Sequence, residues 1–347
     1  MLKYFFFSML TILCLNTHAQ KRLREFGLTP GVLTPGKQNS ITDVTGVLVG
    51  HKTLIEGDHI RTGVTAVLPH NGNIYQQKVP AAVFVGNGFG KLAGSTQVNE
   101  LGNIETPIIL TNTLNVSTAV SAVINYTLQQ KGNEEIQSVN ALVGDTNDGW
   151  LNDIRGRHVQ ESDVFDAIRN VVDSVSEGNV GAGTGTVCFG FKGGIGTSSR
   201  KLPESLGGYT VGVLVQTNYG GVLQVDGVPV GKELKKFSFS NQLLNNVDGS
   251  CMIVVLRIPH QPVNPVVSVP TLHNDYTSQL FMAAIEATEE AVLNSLTMAR
   301  TTKGYQGHQI EALPSEKLQE LVKKYKAIPA ADPREKKSGN TVKTTQK

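Results

Sequence analysis

Short valine-rich apolar runs, each fenced by glycine, proline, asparagine or aspartate, recur along this chain and constrain its fold more than any other feature. They read VTGVLVG (44–50), TGVTAVLP (62–69), PAAVFVG (80–86), PIILTN (107–112), VNALVG (139–144), VCFGF (187–191), YTVGVLVQ (209–216) and CMIVVL (251–256). Their length and punctuation predict strands. Several are continuously apolar rather than alternating, which predicts strands covered on both faces. Helical patterns lie between and after them. Over Ser162–Ser176, Val164, Ile168, Val171, Val172 and Val175 share one face, with Ser162 as the cap. The stretch from Ser278 to Ala299 is alanine-rich and free of Gly and Pro, and Leu318, Leu321, Val322 and Tyr325 mark a shorter helix after Pro314-Ser315. No repeat and no linker interrupts residues 20–329, so a single α/β domain is expected, followed by a polar, lysine-rich, disordered tail over 330–347.

Composition narrows the function. With 347 residues, 39% hydrophobic and 17% charged, the chain is globular, and a formal charge of +2 gives no electrostatic case for nucleic acid or a membrane surface. Residues 1–19 (MLKYFFFSMLTILCLNTHA) carry one lysine, a short apolar run and small residues at Thr17 and Ala19. That pattern is a secretory signal peptide rather than a stable membrane anchor, so maturation near Gln20 and export to the periplasm or beyond are expected. Cys14 leaves with the leader; Cys188 and Cys251 sit in apolar runs and read as buried thiols. The histidines show no metal-ligand spacing, so neither a metal nor a cofactor is expected.

Two glycine-rich segments invite a nucleotide reading. Gly88-Phe89-Gly90-Lys91-Leu92-Ala93 fits the loose dinucleotide fingerprint, but QVNELGNIETP after it does not read as the long helix that must receive a pyrophosphate. In GAGTGTVCFGFKGGIGTSSR, Gly181, Gly183 and Gly185 precede a strand, not a helix; their use is close backbone approach.

Asp248-Gly249-Ser250 stands immediately before a strand-like run. A turn is the ordinary reading. The chemical one is a serine that cuts its own chain: its hydroxyl attacks the Gly249 carbonyl, the acyl group moves from nitrogen to oxygen, and water cleaves the ester. The freed α-amine, with a pKa of about 7.7–8.0, then serves as the serine's own base.

The segments SITDVTGVLVGH, IRTGVTAVLP, ETPIILTNT, DTNDGWLNDIRGRHV, GAGTGTVCFGFKGGIGTSSR, GVLVQTNYG, DGSCMIVVL and EATEEAVLNSL resemble the L-aminopeptidase/D-amidase/D-esterase family, which includes the β-peptidyl aminopeptidases. The resemblance covers nearly the whole mature chain. It implies a four-layer α-β-β-α sandwich of the N-terminal-nucleophile-hydrolase type, cut into an α chain (20–249) and a β chain from 250. It further implies short peptide, amide or ester substrates with a free amino terminus, and a homo-oligomer of processed units. Matched residue by residue, Ser250 is the nucleophile, Gly249 lies across the scissile bond, and Asn218 in QTNYG donates to the oxyanion. Asn147 and Trp150 fall where the family lines its substrate pocket.

One departure stands out. The family carries a serine-glycine-acid motif some tens of residues after the nucleophile, and here CMIVVL runs almost directly into RIPHQPVNPV. Glu286, Glu289 and Glu290 do not replace it, since their spacing spreads them along a helix surface. A catalytically impaired or non-catalytic ligand-binding member is therefore the alternative to an active hydrolase.

Overall fold

The structure, a computed structural model, describes residues 20–237, 249–257 and 277–326. The leader (1–19), Asp248 and the tail (330–347) lie outside the described residues.

Two sheets form the centre. The first has five strands in the order β1 (Leu48–Glu56), β2 (Ile60–Leu68), β4 (Ile108–Asn112), β5 (Leu142–Thr146) and β3 (Leu92–Ala93), antiparallel except for the parallel pair β4–β5. The second is an antiparallel meander of β6 (Ile195–Lys201), β7 (Thr210–Gln216) and β8 (Met252–Leu256). Because side chains alternate across a strand, each strand serves two layers. Val64, Ala66, Ile109 and Val143 face helices α1 (Val116–Leu128) and α2 (Glu161–Arg169), packing on Ala119, Ala122, Val164 and Ile168. Their neighbours Val67, Ile108, Leu110 and Leu142 point the other way, into a core shared with Ile195, Leu214 and Leu256 of the second sheet. On that sheet's outer side Val213 and Val215 pack on Ala287 and Ala291 of α3 (Thr277–Thr297). The expected helix–sheet–sheet–helix layering is present. Helix α4 (Ser315–Lys326) covers a separate cluster through Leu318, Leu321 and Val322.

Three expectations change. The run over 80–86 forms no strand beyond Val79–Pro80, and Phe84 is 93% exposed. The run 187–191 is a hairpin, Val187–Cys188 against Phe191–Lys192, because Phe189 and Gly190 both take positive φ and turn the chain in two residues. Helix α2 stops at Arg169, capped from Gln160 rather than Ser162; Val172 is 51% exposed and bridges Val49 on the edge of β1. Its valines suit that extended bridge better than another helical turn.

Candidate active site

Ser250 lies two residues before β8, beside the end of β7, and is only 8% exposed. Its backbone N–H donates to Asn218 O at 3.0 Å. Gly249 is a steric requirement: a Cβ there would stand 2.7 Å from both Cα and Cβ of Tyr219, so any side chain would push the Gly249–Ser250 peptide away from Tyr219.

Asn218 follows β7 through Thr217, whose hydroxyl is tied to Gly194 and Ser295. The Asn218 side chain accepts the Val187 N–H on Oδ1 at 3.1 Å. An N–H can only donate, so this bond fixes which end of the amide is which. Nδ2, which makes no hydrogen bond to any described residue, is the free donor. The main-chain oxygen of Asn218 holds Ser250 while its side chain is oriented as a donor.

The loop 181–187 that supplies Val187 N is itself fixed from beneath. Lys192 is fully buried, and its ammonium donates to Gly183 O at 2.9 Å and Gly193 O at 2.8 Å. Burial pulls its pKa down to about 7, opposed by the charge of Asp148. Asp148, also buried, is pushed up to about 7 by burial against hydrogen bonds from Thr62, Asn152 and Asn112. Gly185 packs against Arg61 O and Asp148 Cβ, the close approach its bare Cα permits. Lys192 and Asp148 escaped the sequence reading because nothing local distinguishes a buried lysine from a solvated one.

Neither thiol competes with the serine. Burial pushes Cys188 and Cys251 up to about 12, so both stay protonated and poorly nucleophilic at neutral pH.

The structure brings Gly249, Ser250 and Asn218 together; Asn147 and Trp150 lie in the 145–153 segment that leaves β5. Asn147 Oδ1 accepts Gly149 N–H at 2.9 Å, a local turn, and Trp150 is 55% exposed with its ring stacked on His308 at 3.9 Å between centroids. No hydrogen bond joins either to Ser250 among the described residues.

Glu286 and Glu290 correct the surface expectation. Glu290 is fully buried and Glu286 nearly so, and they clamp the fully buried Arg200 at 2.8 and 3.1 Å. Glu290 also takes Arg24, and Glu286 accepts the N–H groups of Val32 and Leu33. Burial opposes ionisation of Glu286, but those donors and Arg200 outweigh it and hold the carboxyl below its ordinary range. The helical spacing i, i+4 was visible in sequence; the cation it faces comes from a strand 86 residues away.

With two stacked sheets between helical layers and a serine at the mouth of one strand, the molecule has the fold of the N-terminal-nucleophile hydrolases. It superposes with a TM-score of 0.77 on the L-aminopeptidase D-Ala-esterase/amidase of Ochrobactrum anthropi, described as a variant of the Ntn hydrolase fold, at 30% identity over 88% of this chain and 99% of that one. The PH0078 protein of Pyrococcus horikoshii OT3 superposes at 0.80, with 42% identity and the same coverage of both chains. Residues 39–257 and 257–310 match Peptidase family S58, and the chain belongs to that family. It is 35% identical to the beta-peptidyl aminopeptidase BapA of Sphingosinicella microcystinivorans over 375 positions, 89% of this chain and 94% of that one. It is a peptidase of the aminopeptidase kind.

Proposed function

We propose that this peptidase is an exported, self-cleaving serine aminopeptidase or amidase that uses Ser250 as its nucleophile after hydrolysis of the Gly249–Ser250 bond. The carrying observation is the double hold that Asn218 has on the site: its main-chain oxygen receives Ser250 N–H, and its amide is locked by Val187 N–H with the donor end free. After cleavage the Ser250 nitrogen becomes the α-amine. The Asn218 carbonyl keeps it beside its own hydroxyl, and the neutral fraction of the amine takes the hydroxyl proton. The serine oxygen adds to the substrate carbonyl, Asn218 Nδ2 donates to the oxyanion, the protonated amine returns its proton to the leaving amine, and water resolves the acyl-enzyme. Substrates are short peptides, amides or esters bearing a free amino terminus, and processed units assemble as a homo-oligomer.

Intact mass of the purified protein tests this reading. Two fragments, one beginning at Ser250, are expected, with Ser250→Ala leaving one uncut, inactive chain. An uncut wild-type chain that still hydrolyses amides would refute the mechanism.

A second reading has its own support. The family match is in two pieces that meet at Arg257, and the alignment to the BapA relative has 375 positions where this chain has only 347 residues, so parts of that relative stand opposite gaps here. A member impaired in turnover, still able to bind amino-acid-like ligands, fits that gap. Ligand-induced rise of the melting midpoint without hydrolysis distinguishes it.

A further inference from the structure

The glycine-rich loop Gly86–Lys91 (GNGFGK), which offered a weak nucleotide fingerprint, roofs the nucleophile instead. A Cβ placed on Gly90 would stand 3.4 Å from Ser250 Cβ and 3.0 Å from Met252 Cε, so the loop lies in direct contact with the Ser250 side chain. Lys91 N–H donates to the carboxylate of Asp145, a 1% exposed residue on β5 that also accepts from the Thr113 hydroxyl. The loop is thereby fastened to the first sheet. At its other end Asn87 Oδ1 accepts Phe89 N–H at 3.1 Å. That bond fixes the amide orientation, and Nδ2 points at the scissile peptide, 3.4 Å from Gly249 O.

We propose that Asn87 is a catalytic residue of self-cleavage, donating to the oxyanion that forms on Gly249 O, a role distinct from that of Asn218 toward substrate. The inference rests on the self-cleavage reading above. As Ser250 Oγ bonds to the Gly249 carbonyl carbon, an electron pair moves onto Gly249 O, the atom that faces Asn87 Nδ2. Collapse breaks the C–N bond, and the nitrogen takes the proton that the hydroxyl gave up, leaving an ester and a free amine. Water then adds to the ester carbon; its oxygen stays on Gly249 as the new carboxyl, and one of its protons goes to Oγ as the C–O bond breaks. The long ground-state hydrogen bond suits this function, because a donor is most useful where it tightens onto developing charge rather than onto the resting carbonyl. Among the described residues the side-chain donor on Gly249 O is Asn87 Nδ2, and no hydrogen bond joins Asn218 Nδ2 to that oxygen.

The test follows cleavage by intact mass from the start of cell-free translation, comparing wild type, Asn87→Ala, Asn87→Asp and Ser250→Ala. Melting midpoints are compared between Ser250→Ala and Ser250→Ala/Asn87→Asp, both uncut. Expected is a slowing of cleavage by about 100-fold or more in both Asn87 variants, the scale of losing one oxyanion donor, with unchanged midpoints. Cleavage of Asn87→Asp at the wild-type rate overturns the role of Asn87 alone. Slowing with a lowered midpoint also overturns it, since the loop would then act through folding. A wild-type chain that never cuts overturns self-cleavage itself.

Discussion

The two sheets are built from similar valine-rich strands and finished differently. In the five-stranded sheet the helix-facing residues Val64, Ala66, Ile109 and Val143 are fully buried, and the free edge of β1 is occupied by Val172, which exchanges both backbone hydrogen bonds with Val49. In the three-stranded sheet β8 pairs only with β7 among the described residues. Register places Ile253 opposite Val215 and Val255 opposite Val213, so all four share the face turned toward α3. Val213 and Val215 are fully covered by that helix, whereas Ile253 and Val255 remain 49% and 46% exposed. The helix covers two strands and leaves the third bare. Among the described residues, then, an exposed hydrophobic face lies next to an unpaired strand edge, a combination that proteins ordinarily cover. The two pieces of the family match meet at Arg257, one residue past β8.

The strongest way to break this comparison is to attack what does hold the second sheet. Glu290→Ala would leave the fully buried Arg200 with one carboxylate partner fewer and Arg24 unpaired. Removing one partner from such a buried network costs about 3–5 kcal/mol, because a desolvated charge is left uncompensated. Denaturant unfolding should show that loss. A shift below about 1 kcal/mol would mean the cluster is solvated and the second sheet looser than described. The same network ties the segment carrying Arg24, Val32 and Leu33 to α3, so it also joins the two fragments after any cut at Gly249.

Next in size is the closed sheet itself. Ile109→Ala removes a side chain fully buried between β4 and the α1–α2 layer, and should cost about 2–5 kcal/mol by the same measurement.

The strand pattern and the order of helices and strands were legible in sequence, because burial on two faces writes itself as continuous apolar runs. The strand β6 was not: IGTSSRK is polar, and its side chains are buried by partners far along the chain, Asn39 on Ser198 and Glu286 and Glu290 on Arg200. The run at 80–86 failed in the opposite sense, apolar yet exposed at Phe84 and Val85, since propensity cannot tell whether a covering layer exists. At the candidate site, Ser250, Gly249 and Asn218 could be singled out from their motifs, whereas the contacts of Asn87, Lys192 and Asp148 join segments that no local pattern encodes.

Acid should sharpen the comparison from within the closed sheet. His51, on β1, shares a hydrogen bond with the Thr65 hydroxyl at 3.0 Å, and burial lowers its pKa from 6.5 to about 4. Between those values the unfolded chain binds a proton that the folded chain refuses, so this residue's contribution to stability falls as pH drops from 6.5 toward 4. The measure is the difference in unfolding free energy between wild type and His51→Asn. It should be flat above pH 7 and decline below 6.5 by at most about 1.4 kcal/mol per pH unit. A difference independent of pH would place His51 in contact with solvent and weaken the case for a sealed first sheet.

The smallest expected effect bears most directly on the contrast. Ile253→Thr on β8 exchanges an apolar side chain that is half exposed for a β-branched polar one that suits a strand. Substitutions at such exposed positions stay within about 0.5 kcal/mol, against the several kcal/mol expected of Ile109→Ala. If Ile253→Thr instead destabilises as a core change does, the β8 face is covered in solution, by a second copy or by residues outside those described. Repeating the measurement across protein concentrations separates the two, because only cover by another copy makes the midpoint depend on concentration. The same variant should leave the Ser250 peptide in place, since its hydrogen bond runs to Asn218 O on the opposite end of the β7–β8 pair from Leu256, through backbone atoms that the side chain of residue 253 does not supply.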